Sequence, residues 1–158
     1  MSREFERSVD VLLGIEKGYV NDPHDPGGET NWGISKRAFP GLDIKTLSRT
    51  DAVAVYYNEF WIPAKCDKLP WPLCLFVLDA AVNQGQDAAI KLLQKAAGVA
   101  QDGILGPNTL RAIERQPAYE LAALFLADRA LRYTGTRNFD RYGRGWLKRL
   151  FVCALEVS

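Results

Sequence analysis

The sequence predicts a mainly α-helical chain interrupted by one small β-hairpin. Two observations carry this. Apolar residues recur at helical spacing along most of the chain, beginning with Phe5, Val9, Leu12 and Leu13. One stretch, residues 16–35, breaks that period with Gly18, Pro23, Pro26, Gly27, Gly28 and Gly33, which is turn chemistry. The 158 residues suit a single domain. A chain of this size buries about two thirds of its unfolded surface, so its core needs no staples.

The elements follow in order. Residues 3–17 read as an amphipathic helix that ends near Gly18, with Glu16 returning to its apolar stripe. Short alternating pieces at Tyr19–Val20 and Thr30–Ile34 are expected to pair as the hairpin. Ser35 suits the N-cap of a short helix to Phe39, stopped by Pro40–Gly41. Ser48 and Asp51 form a capping-box pattern, opening a helix to about Trp61. Residues 72–84 read as a buried helix that Gly85 breaks, and 86–97 as the next. A Gly-rich loop leads to Pro107, which suits a first helical turn. Helices over 107–115, 118–134 and 139–155 complete the chain.

Composition excludes several classes. Hydrophobic and charged fractions of 47% and 25% are ordinary for a soluble globular chain, and the net charge is +1. Charge is uneven, however: residues 1–80 sum to −3 and residues 81–158 to +4. The end of the chain carries Arg129, Arg132, Arg137, Arg141, Arg144, Lys148 and Arg149 against Asp140 and Glu156. That reads as solvated helix faces, or as a basic flank for an anionic polymer. No nucleic-acid motif accompanies it, so no nucleic-acid partner is expected. No apolar run approaches a membrane span and no apolar signal core is seen, so neither membrane insertion nor a signal peptide is expected. Cys66, Cys74 and Cys153 lack metal spacing. They read as reduced or buried thiols, with a Cys66–Cys74 bridge the alternative outside the cytoplasm.

The chemistry concentrates at EKGYVNDPHDPGGETNWGIS, residues 16–35. Cleaving a glycosidic bond needs a general acid and a second group that supports water or the oxocarbenium-like centre. Glu16 suits the acid, because an apolar stripe and a helix C-terminus both favour its neutral form. Asp22 and Asp25, on a polar loop, are expected to stay ionised. The alternatives are an exposed helix-end Glu followed by a plain Asx-turn loop, and a metal loop built on Asp22, His24 and Asp25. The two prolines interrupt the oxygen-ligand spacing a metal loop needs, so no metal is expected.

The same run resembles the signature of glycoside hydrolase family 108, N-acetylmuramidases of phage endolysins and of bacterial proteins once labelled secretion activators. The matching residues are Glu16, Gly18, Tyr19, Val20, Asn21, Asp22 and Pro23, then Asp25, Gly27, Gly28 and Thr30, then Gly33, Ile34 and Ser35. Lys17 stands where the family often has Gly. The spacing is also similar to the phage-type lysozymes of family 24, which carry Glu, eight residues, Asp, five residues, Thr. Here four residues separate Asp25 from Thr30, so Glu29 competes with Thr30 for that place.

By these resemblances Glu16 is the general acid, Asp25 positions or activates water, and Thr30 helps to hold that water. VLDAAVNQG, residues 77–85, is similar to a groove-facing helix end of this group. Tyr19, Asn21, Asp79, Asn83 and Gln84 are then expected to bind substrate, the alternative for Asp79 and Asn83 being to brace helices. DGILGPNT resembles a turn of wall-binding modules, although its glycines and proline equally shape a tight loop. GRGWLKRL resembles the family's closing Gly-Trp-x-x-Arg, with Trp146 either core or sugar platform.

The resemblance implies a lysozyme-like fold, with a catalytic part over 1–88 and a helical lobe over 89–158 similar to a peptidoglycan-binding region. It implies hydrolysis of the β-1,4 bond between N-acetylmuramic acid and N-acetylglucosamine, with bacterial peptidoglycan as partner and no cofactor. A monomer is expected, made in the cytoplasm and reaching the wall through a holin or equivalent. The alternatives are a lytic transglycosylase and a non-catalytic peptidoglycan-binding module.

Overall fold

The computed structural model describes residues 1–16, 18–21 and 28–157. Among these, seven α-helices accompany one two-stranded antiparallel hairpin, a mainly helical, lysozyme-like arrangement. Helix α1 spans Arg3–Ile15, with Ser2 as N-cap accepting from the Phe5 amide. Its buried stripe is Phe5, Val9, Leu12 and Leu13, as the spacing predicts. The helix stops before the expected residue 17. Glu16 is its C-cap, with φ −73° and ψ 124°. Its amide still donates to the Leu12 carbonyl at 3.0 Å, so the departure from the helix begins at its ψ.

Strand β1 (Thr30–Asn31) pairs with β2 (Ile34–Ser35), Thr30 opposite Ser35 and Asn31 opposite Ile34. The connection is the two-residue turn Trp32–Gly33, both at positive φ, 53° and 76°. This is the backbone sign that a tight hairpin requires. Trp32 is held in that uncommon conformation from both sides. Its indole donates to the Leu47 carbonyl at 3.1 Å, and its own carbonyl accepts from the Tyr56 hydroxyl at 3.0 Å. Val20 adds a bridge to Thr30, so the expected pairing of the two pieces is present. Asn31 is buried and donates to the carbonyls of Ile44 and Leu47, tying the hairpin to the following loop.

Two segments differ from their predicted form. Ser35 belongs to β2, and the expected helix to Phe39 is a single turn. The Ser35 carbonyl accepts from Phe39 and its hydroxyl from the Ala38 amide. One turn before Pro40 is too short to repay helix nucleation. Helix α2 (Arg49–Val55) has the predicted capping box at Ser48 and Asp51, but continues as a π-helical turn over Tyr56–Trp61. The i→i+5 spacing brings residues five apart nearly into line. Tyr56 and Trp61 are therefore both buried, and Phe5 packs edge-on against Trp61 at 5.3 Å.

A 3₁₀ turn (Cys66–Lys68) leads to α3 (Leu73–Gln84), buried along every residue from Leu73 to Ala81. A helix apolar on all sides belongs inside a core, and α3 packs against α1, α4 (Gln86–Ala96) and α6 (Ala118–Thr134). Helix α5 (Pro107–Glu114) packs on α6, and α7 (Phe139–Leu155) follows. Helix α7 packs on both α6 and α1, returning the end of the chain to its beginning. Cys66, Cys74 and Cys153 are free and buried. Burial pushes the Cys74 thiol up to about 11, the Cys153 thiol up to about 12 and the Cys66 thiol higher still.

Candidate active site

Glu16 stands where three elements meet. Its side chain lies across the hairpin turn at Gly33, where no other residue fits. A Cβ on Gly33 would come within 2.7 Å of the Glu16 Cγ and Cδ and of the Tyr56 hydroxyl. Across from the hairpin, the Glu16 carboxylate pairs with Arg149 Nη1 from α7. The Glu16 side chain keeps 21% of its surface open to solvent, and that of Arg149 12%. The surroundings of Glu16 are therefore ionic and half-buried, where the sequence led us to expect an apolar stripe.

Arg149 is itself held from behind. Its Nε donates to Asp79 Oδ1 at 2.6 Å, while Arg129 Nη1 donates to Asp79 Oδ2 at 2.5 Å. Asp79 and Arg129 are fully buried. Arg129 further donates to the Gln84 side-chain oxygen at 3.0 Å and to the Tyr133 hydroxyl at 3.2 Å. A chain of charges thus runs from α6 through α3 to α7 and ends on Glu16. Burial alone would raise the Asp79 carboxyl, but the two guanidiniums outweigh it and hold it below the ordinary carboxylate range. Burial would weaken the charge on Arg149, and the Asp79 and Glu16 carboxylates more than restore it. Tyr56 is pushed well above the usual phenol range, by burial first and by the Glu16 carboxylate second. It therefore stays protonated and keeps its bond to Trp32.

This placement corrects one expectation. Asp79 does not face a groove: its carboxylate is spent on two arginines inside the core, the bracing alternative. Asn83 and Gln84 remain at the surface but are oriented by the same chain. The Asn83 amide donates to the Asp79 carbonyl at 2.8 Å and to its carboxylate at 3.3 Å. Tyr19 and Asn21 lie at the exposed edge before the loop, and the Tyr19 hydroxyl donates to Glu29 at 2.9 Å. That bond, more than burial, raises the Tyr19 phenol. Glu29 is thus engaged with Tyr19. Thr30 sits on β1, its hydroxyl 3.3 Å from the Gly28 carbonyl, on the opposite face from buried Asn31. Asp22, His24 and Asp25 lie outside the described residues. Among the described residues, no cluster of His, Cys, Asp and Glu could hold a metal ion.

A cleft of about 870 Å³ opens beside Arg149 between α1 and α7, lined also by Gly14, Ile15, Asn83, Trp146 and Lys148. Trp146 is half-buried and stacks on Tyr133, with ring centroids 5.1 Å apart. The DGILGPNT turn is an internal brace. Gln94 is buried and donates to Asp102 at 2.6 Å, to the Ile104 carbonyl at 3.1 Å and to Thr109 at 3.2 Å. Its oxygen accepts from the Gly103 amide at 2.9 Å. Asp102 and Thr109 therefore shape the entry to α5.

The family model described as glycosyl hydrolase 108 matches residues 9–85, and that of a predicted peptidoglycan domain matches residues 88–151. The solved structure of Brucella abortus SagA is similar over 96% of this chain and 92% of its own, at 32% sequence identity and a TM-score of 0.87. No curated protein matches. The chain belongs to glycosyl hydrolase family 108, with a peptidoglycan-binding region in its second half. It is thus a glycoside hydrolase directed at peptidoglycan. No helix among the described residues is long and apolar enough to cross a membrane.

Sequence reasoning missed Arg149, Arg129, Tyr56 and the seat at Gly33. Arg149 is the last residue of the Gly-Trp-x-x-Arg pattern. The available signal was its position three residues after Trp146 and next to the buried Leu150, on the inward side of α7.

Proposed function

We propose that the protein is an N-acetylmuramidase that hydrolyses the β-1,4 bond between N-acetylmuramic acid and N-acetylglucosamine. The observation that carries this reading is the seat of Glu16: a half-buried carboxyl on a hairpin turn, gripped by Arg149, which itself lines the cleft between α1 and α7. Glu16 protonates the glycosidic oxygen as the C–O bond breaks. To do so it first takes up a proton from solvent, giving up its ion pair with Arg149, and then donates a hydrogen bond to the leaving oxygen. Arg149 stays in place meanwhile, because Asp79 holds it through Nε. Water forms the new bond at the anomeric carbon and loses its proton to Asp25, with Thr30 orienting that water. Asp25 then releases that proton to solvent, and Glu16 takes up another for the next turnover. Tyr19 and Asn21 border the sugars from the loop side, and Asn83 from the helical side. The chain acts as a monomer in two parts, residues 1–88 catalytic and 89–158 binding wall, and needs no cofactor.

Mass analysis of muropeptides released from purified sacculi tests this. The reading predicts reducing N-acetylmuramic acid ends. Anhydromuramic ends would make the protein a lytic transglycosylase, and binding without release would make it a wall-binding module.

A further inference from the structure

The cleft beside Arg149 has a neighbour. A second pocket of about 220 Å³ is lined by Asn83, Gln84, Arg132, Tyr133, Thr136 and Trp146. Asn83 and Trp146 line both hollows, so the two meet there. The polar groups of this pocket are oriented by bonds made behind them. The Asn83 amino group is turned to Asp79, which leaves its carbonyl oxygen as an acceptor. The Gln84 oxygen is committed to Arg129, which leaves its amino group as a donor. An acceptor and a donor on consecutive residues match the N–H and C=O of a peptide group. Trp146, stacked on Tyr133, gives the pocket an aromatic wall. Arg132 supplies a guanidinium that is exposed and has no ion pair with any described residue.

A glycan strand alone does not call for this combination. In the wall its sugars are neutral, because the lactyl carboxyl of each muramic acid is amide-bonded to a short peptide, and it is that peptide that carries free carboxylates. An enzyme cutting beside muramic acid must accommodate that branch.

We propose that the pocket at Asn83, Gln84, Arg132 and Trp146 is a subsite for the stem peptide of peptidoglycan. Asn83 and Gln84 bond its backbone, Trp146 packs against it, and Arg132 pairs with a stem carboxylate. The proposal rests on the muramidase reading of Glu16 and adds the substrate class that the site selects: stem-bearing glycan over naked glycan. Charge-assisted bonds of guanidinium to carboxylate are the strong ones, so the selection is expected to be about tenfold or more.

The test compares two probes, un-crosslinked glycan strands with stems intact and the same strands stripped of peptide by an amidase. Reducing ends are followed for the wild-type protein and for Arg132→Gln and Arg132→Lys. Arg132 is exposed, and thermal melts verify that both variants fold. The expected wild-type ratio of kcat/KM, stem-bearing over stripped, is about ten or more. It falls toward one in Arg132→Gln through a higher KM on stem-bearing strands, and is partly kept in Arg132→Lys. A wild-type ratio near one, or an Arg132→Gln variant that keeps the wild-type ratio, overturns the subsite. Wild-type protein that releases no reducing ends from either probe overturns the muramidase reading instead.

Discussion

Replacing Asp79 by Asn keeps the shape of the side chain and removes the charge between two guanidiniums. Asp79 and Arg129 are fully buried, so the change leaves Arg129 without a counter-ion inside the core and Arg149 with Glu16 alone. Breaking a buried pair from one side costs about 3–5 kcal/mol. A chain of this length has an unfolding entropy on the order of 330 cal/mol/K, so the cost corresponds to a fall in Tm of about 9–15 °C. The pH dependence gives a second readout. The Asp79 carboxyl is held below its ordinary value, so its contribution is complete above about pH 4, where the unfolded carboxyl is also ionised. It is lost as pH falls through the lower folded value. The wild-type advantage over Asp79→Asn is therefore widest at neutral pH and narrows toward pH 2. Circular dichroism melts of both proteins at pH 7, 4 and 2.5 measure this. A Tm difference under about 2 °C at pH 7, or a gap that does not narrow in acid, would refute the charge-chain account.

Two further outcomes follow from the same geometry. Gly33→Ala forces a Cβ into the Glu16 side chain at a backbone angle of +76°, so stability is expected to fall by about 1–3 kcal/mol. Wall lysis should fall further than that loss of fold explains, at least tenfold when assayed well below the variant's Tm, because Glu16 is displaced. The thiols of Cys66, Cys74 and Cys153 are buried and shifted upward, so a thiol reagent at pH 8 should find almost none in the native protein and three per chain after denaturation. One thiol after denaturation without reductant would indicate a Cys66–Cys74 bridge.

The parts of the fold set by local chemistry were legible. Helix α6 starts and ends as predicted because Pro117 and Gly135 bracket a clear apolar period. The capping box at Ser48 and Asp51 needs only three residues of context, and it is present. Glu16 stood out because a carboxylate on an apolar stripe demands an explanation. What stayed hidden depends on distant partners. Asp79 turns inward because of Arg129 and Arg149, fifty and seventy positions later in the chain. Arg149 was lost among the exposed arginines of α7, since charge alone does not say which one faces the core. Glu16 is still tied to its helix through the Leu12 carbonyl, but its carboxylate finds its partner, Arg149, only 133 positions later. Tyr56 reaches the site only through a π turn, which no periodicity at 3.6 residues announces.

The central claim is that Glu16 delivers the proton that breaks the glycosidic bond. The most direct measurement is the rate of reducing-end release from sacculi by Glu16→Gln beside the wild-type protein, with binding to sacculi followed by co-sedimentation. A lost general acid is expected to lower the rate by about 10²–10⁴-fold, while the folded variant still sediments with the wall. A Glu16→Gln protein that is folded and releases reducing ends at near the wild-type rate would contradict the account.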